Sequence, residues 1–257
     1  MAFAGGFIFR LRSWRRILRF AGFATAALLT PSTYGPATRE LAVRQIYLTA
    51  WQVLPGYLLF SALLSLVIIE IVVTSARQYG LAEFSLELVL RVLVLELIPL
   101  LTALFVALRS GAAIGAEIAL MTVSGELDER EGGAAGPLQE ELVPRVAGAA
   151  LSVASLTTLS CALAVWLAYL AMYGFSEWGL PEFTRIVGQV FDFPVLAGFV
   201  LKCLLFGMAV ALIPVATGLE AERGVLKSAP GAVLGGLVKL FFVIALIEVL
   251  SLVVKYV

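Results

Sequence analysis

Five stretches of this chain, residues 46–75, 86–110, 146–172, 195–218 and 231–257, are dominated by apolar side chains and are each long enough to cross a hydrocarbon core. About 20 residues at helical rise suffice for that crossing. Inside lipid every backbone polar group must be satisfied within the protein, so runs of this kind are expected to be helices. Composition agrees: 61% of the residues are hydrophobic and the mean hydropathy is +1.01, against roughly 45–50% apolar residues in soluble domains. The expectation is an all-α integral membrane protein, a single domain over residues 1–257. No soluble domain is set apart, and five spans do not divide into the matching halves of many secondary transporters.

The second run is the most unusual. It carries Glu96, with Pro99 three residues later, and ends beside Arg109. An ionisable side chain near the bilayer centre costs on the order of 2.5–3.5 kcal/mol on insertion scales, so Glu96 should face protein or a wet cavity. Pro99 removes a backbone donor and loosens the helix there. Glu70, Lys202, Lys239 and Glu248 also lie within apolar runs. Arg109 and Lys239 sit towards span ends, where long side chains can reach the interface. Just beyond Arg109, Gly111 and Gly115 form a small-xxx-small face that lets two helix backbones approach closely. The chain is then expected to leave the membrane, because residues 124–131 are almost wholly polar and Gly132, Gly133, Gly136 and Pro137 stop a helix.

Before the first span, Arg10, Arg12, Arg15, Arg16 and Arg19 alternate with Phe7, Leu11, Trp14, Ile17, Leu18, Phe20 and Phe23. A signal peptide would also begin with a basic and then an apolar region, but the apolar part is short and no Ala-x-Ala site follows. Residues 1–30 read instead as an amphipathic helix in the headgroup layer. Seven arginines lie between Arg10 and Arg44, against Arg77 alone in the loop after the first span. That asymmetry places the N-terminus in the cytoplasm and, with five spans, the C-terminus outside. Residues 111–144 and 219–230 are then inner loops, and 173–193 rests at the outer interface.

The ordered pattern Glu96-Leu97-x-Pro99, Leu101-Thr102-Ala103-Leu104, Ala107-x-Arg109-x-Gly111-x-Ala113, Ala116-Glu117-Ile118-x-Leu120-Met121, Glu126-Leu127-Asp128, Pro137-Leu138 and Leu142-Val143-Pro144-Arg145-Val146 resembles the MlaE/YrbE permease family. It departs from that family's pattern at Ile98, Leu108 and Gly132 to Gly136. The resemblance implies the membrane subunit of an ABC system that moves phospholipid or other lipid, working with MCE-domain proteins in a bacterial inner membrane. It further implies a separate ATPase subunit and a second permease copy, a homodimer being expected. A cytoplasmic coupling region over residues 118–131 would present Glu117, Glu126, Leu127, Asp128, Glu129 and Arg130 to the ATPase. Glu96, Pro99, Lys202 and Glu70 are expected to line or gate the lipid cavity, unless the charges are paired simply to fix helix packing.

Other functions find less support. There is no G-x-x-x-x-G-K-[ST] phosphate loop, since Lys227-Ser228 follows Val225-Leu226 rather than glycine, so any ATP must be used by another chain. The chain has no histidine, and Cys161 and Cys203 sit in apolar runs as small hydrophobes, so neither a metal site nor another cofactor is expected. No nucleophile constellation suggests an intramembrane enzyme, and a net charge of zero gives no reason to expect nucleic acid. A proton- or ion-coupled carrier using Glu70, Glu96 and Glu248 as a relay, or a divergent permease copy working only in a heteromeric complex, are the alternatives.

Overall fold

The computed structural model describes Tyr47 and residues 51–125, 143–221, 224–225 and 228–256, and among them every regular element is helical. Helices α1 (Leu54–Gln78), α2 (Ala82–Ser124), α3 (Val143–Tyr173), α5 (Phe193–Gly218) and α6 (Ser228–Tyr256) are long and apolar enough to span a membrane. A short amphipathic helix, α4 (Leu180–Val190), lies between α3 and α5. The chain is thus a multi-pass membrane protein, with five spanning helices among the described residues. The interfacial helix expected over residues 1–30 lies outside the described residues.

Local chemistry sets the helix ends. Pro55 opens α1 at a position whose backbone N–H would have no partner. The same helix closes on Gly80 at φ +72°, where the N–H of Leu81 reaches back to the carbonyl of Ala76 at 2.8 Å. A side chain would strain that left-handed backbone. Asp192 caps α5, its Oδ1 accepting the N–H of Phe193 at 2.7 Å.

Helix α2 differs most from expectation. It runs unbroken from Ala82 to Ser124 and stops at Gly125, φ +78°. The polar connection after α2 therefore begins at Gly125 and not at Gly111. In a membrane bundle these glycines are close-approach points rather than helix breakers: a Cβ on Gly111 would stand 3.3 Å from Pro214 Cγ, and one on Gly115 3.5 Å from Pro214 Cβ. The first part of the 118–131 segment is accordingly the last turns of α2, with Ile118, Ala119, Met121, Thr122 and Val123 buried. Residues Glu126 to Arg130 lie outside the described residues, and Glu117 is exposed on α2.

Helix α2 is also the most buried of the five and α6 the least. On α1 the inward face is Tyr57, Ser61, Ser65, Ile69 and Val73, spaced by four, while Leu59, Phe60, Leu63 and Val67 point outward. Both faces are apolar or small because the surroundings are lipid, so core packing cannot rest on expelling water. Small residues and buried hydroxyls do that work instead. Tyr57 and Thr102 share a hydrogen bond of 2.7 Å between α1 and α2, and Thr102 donates to its own helix at Ile98 O, 2.8 Å away.

Between α2 and α5 the tightest approach is at Gly218, where an added Cβ would lie 2.9 Å from both Gly115 O and Ile118 Cβ, whereas Gly235 on α6 has nothing within 4 Å. Gly218→Ala should therefore lower stability by about 1–3 kcal/mol through overpacking. Gly235→Ala should be neutral or slightly stabilising, since alanine is the better helix former. Unfolding of the two purified variants in mixed detergent checks the difference, and equal midpoints would show that α2 and α5 are not packed this closely.

Candidate functional site

Four charged side chains from three helices meet inside the bundle. Lys202 of α5 donates a short hydrogen bond to Glu96 Oε2 on α2 and lies 2.7 Å from Glu248 Oε2 on α6. Lys255, near the end of α6, donates to the other Glu96 oxygen at 2.7 Å. Lys202 is 3% exposed as a residue and Glu96 9%. Among the described residues two carboxylates face two ammonium groups, so the set sums to zero. Isolated, any one of them would be costly at this depth. Lys202 stands roughly 13 Å along α5 from Phe193 at 1.5 Å per residue, well inside the apolar layer.

The backbone explains why Lys202 is held where it is. Between Val89 and Leu97 α2 is π-helical, and the N–H of Ile98 bonds back to Leu93 O, one residue beyond the α-helical partner. Pro99 follows with no N–H to offer. Leu95 O, whose α-helical donor would be residue 99, accepts instead from Lys202 Nζ at 3.4 Å. Val94 O, whose π-helical donor would be the same residue, accepts from the Cys161 thiol of α3, also at 3.4 Å. One proline thus turns two main-chain carbonyls towards neighbouring helices. A π-helical interruption of this kind is frequently found at functional sites.

Beside the charges is a cavity of about 430 Å³, within the roughly 300–1,000 Å³ range of small-molecule sites. Glu96, Lys202 and Lys255 line it together with apolar side chains, among them Val195, Phe199, Leu250 and Val254. Pro194 and Lys255 place it towards the end of the bundle where α5 begins and α6 ends. Its walls continue onto the outward faces of α5 and α6, where Leu201, Leu204, Leu250 and Val254 are exposed.

Of the residues singled out in the sequence, Glu96 and Lys202 are brought together at this cavity. Pro99 is buried next to it and acts on the backbone without lining it. Glu70 is elsewhere: it is exposed on α1, one position round from the buried Ile69, and accepts from Thr74 at 3.4 Å. Lys239, in the first half of α6, pairs with Glu220 at 2.9 Å, and Arg109 is exposed. Lys255 was missed because it sits in the final turns of an apolar run. Its spacing from Glu248 is a signal that could have found it, since residues seven apart share a helical face.

Known proteins extend the same picture. A 32% identical match over 142 residues, 54% of this chain, is to the intermembrane phospholipid transport system permease protein MlaE of Haemophilus influenzae, of which it covers about half the length, 54%. Probable ABC transporter permease proteins of Rickettsia prowazekii and Rickettsia typhi are 24% and 25% identical over 206 residues, 80% of this chain and 78% of each relative. The family described as Permease MlaE matches residues 42–254, a stretch that takes in α1, α2, α3 and α5 whole, α6 as far as Val254, and Glu96, Lys202 and Glu248 of the buried cluster, ending one residue before Lys255. With that match covering most of its length, the chain belongs to the MlaE permease family.

Proposed function

We propose that this chain is the membrane-spanning permease of an ATP-driven phospholipid transporter. One observation carries the reading: a salt-bridged charge cluster opens into a cavity whose other walls, Ser251 apart, are apolar and run out onto the outward helix surfaces. That combination suits an amphiphile, whose polar head needs charged partners and whose tails need none. The Haemophilus influenzae relative is named for intermembrane phospholipid transport, which supports the substrate class.

Because the sequence holds no nucleotide-binding loop, hydrolysis falls to a partner ATPase docking at the inner end of α2, through Glu117 and the segment from Glu126 to Arg130. Closure of that partner would shift α2, and with it Glu96, relative to α5 and α6. A second permease copy completes the lipid path, and an MCE-domain protein receives or delivers lipid at the opposite face. The N-terminus is cytoplasmic, in a bacterial inner membrane, so the cavity belongs to the outer half of the bilayer. The rival carrier mechanism would have Glu70, Glu96 and Glu248 relay protons. Glu70 lies apart from the other two on an exposed face, and both of those face Lys202.

Purification of the chain from its native membrane should bring an ATPase and bound phospholipid with it, and the reconstituted complex should move labelled lipid only with hydrolysable ATP. A cysteine replacing Ser13 should be shielded from an impermeant maleimide in intact cells. Transfer that proceeds without ATP, or that follows a proton gradient, would overturn this reading.

A further inference from the structure

The four charges are not equivalent to a ligand. Lys202 is enclosed, with its side chain 2% exposed and with Glu96, Glu248 and Leu95 O around it. Lys255 is the outer cation, its side chain 17% exposed, and it lines the cavity with Glu96, whereas Glu248 does not. Lys202 also lines the cavity, but its ammonium is taken up by those partners, so the pair a ligand can reach is the carboxylate of Glu96 and the ammonium of Lys255, 2.7 Å apart.

Resting on the phospholipid-permease reading, we propose that the Glu96–Lys255 pair receives a zwitterionic headgroup bearing a phosphate diester and a primary ammonium, that is, phosphoethanolamine. The phosphate pairs with Lys255 and the ammonium with Glu96. Charge balance is the reason. The set sums to zero, and a zwitterion that separates the pair returns a partner of opposite sign to each half, so the sum stays zero. An anionic phosphoglycerol headgroup could satisfy Lys255 only by drawing it from Glu96, which leaves Glu96 and Glu248 to share Lys202 and the site with one uncompensated negative charge, which a low-dielectric surrounding penalises heavily. A headgroup without charge would leave the pair closed and gain nothing from it.

The chemistry of the carboxylate narrows the cation. Glu96 can accept charge-assisted hydrogen bonds from a primary ammonium, which carries N–H donors. A quaternary ammonium has none and is held by aromatic cages instead. Among the described residues Phe199 is the one aromatic side chain lining this cavity, too few for such a cage. The acyl chains then lie along Val195, Leu201, Leu250 and Val254, away from the charges.

The test uses the complex as purified from cells, exchanged into mixed micelles containing equimolar phosphatidylethanolamine, phosphatidylcholine and phosphatidylglycerol with identical chains. Bound lipid is identified by native mass spectrometry. Wild type should retain the ethanolamine lipid at least tenfold over each of the others. Lys255→Gln should bring the ratio near parity, and Lys255→Arg should keep the enrichment. Equal retention of the three lipids by wild type, a preference for phosphatidylglycerol, or an enrichment unchanged in Lys255→Gln would each overturn the assignment. The first or third of these, together with intact ATP-dependent transfer, would leave the permease reading standing. Absence of any bound lipid and of any transfer in wild type would remove both.

Discussion

Lys202→Met is expected to cause the largest loss of folded protein of any single replacement in the membrane region, whereas the double variant Glu96→Gln/Lys202→Met should restore much of it. Methionine is close to lysine in length and suits an apolar site, so the variant removes charge with little change in packing. What it leaves behind is the problem. Glu96 keeps only Lys255, and Glu248 faces no cation through its Oε2. Stripping one partner from a buried ion pair costs roughly 3–5 kcal/mol, because the remaining charge is both desolvated and uncompensated. Set against a total stability of about 5–15 kcal/mol, that loss should show as low membrane levels and early unfolding in detergent. In the double variant Glu248 and Lys255 remain, and their charges still cancel. Transport should stay lost in both variants. A Lys202→Met protein as stable as wild type would show that the cluster contributes little to the fold.

The second large effect concerns the inner end. Asp128→Lys/Glu129→Lys should insert and fold normally yet lose the partner ATPase on purification. Residues 126–131 follow the end of α2 in the sequence leading to α3 at Val143, on the side proposed to face the cytoplasm. Reversing two acids there sets like charges against a surface that fits acid, which costs several kcal/mol at an interface. The backbone supplies the next candidate should the ATPase stay bound. Gly224, in the connection between α5 and α6, donates its N–H to Val123 O at 3.0 Å, joining that connection to the end of α2. Retention of the full ATPase complement by the reversed variant would move the docking site to that second loop.

Much of the architecture was legible in the chain itself, and the exceptions are instructive. Gly111 and Gly115 read correctly as close-approach residues, yet the loop was expected to start at the first of them. In lipid a glycine that packs against Pro214 is worth more to a helix than its conformational freedom costs, so α2 continues to Ser124. Glu96 and Lys202 stood out by depth alone, because a charge far inside an apolar run requires a partner. Glu70 stood out for the same reason and was grouped with them, although one helical step, roughly 100° of rotation, carries it from the buried face of Ile69 to the outside.

Span number, helical class and the presence of charge at membrane depth were determined by the sequence alone, since each depends on the length and chemistry of one contiguous segment measured against the thickness of a bilayer. Which charges meet was decided by the tertiary structure. Lys202 and Glu96 are 106 positions apart, and Lys255 and Glu96 are 159 apart. Their pairing depends on how α2, α5 and α6 rotate and slide against one another, and that is fixed by small-residue contacts such as Gly218 on Gly115 and by the carbonyls that Pro99 turns outward. A local pattern specifies a helix and its faces; only packing selects which faces touch.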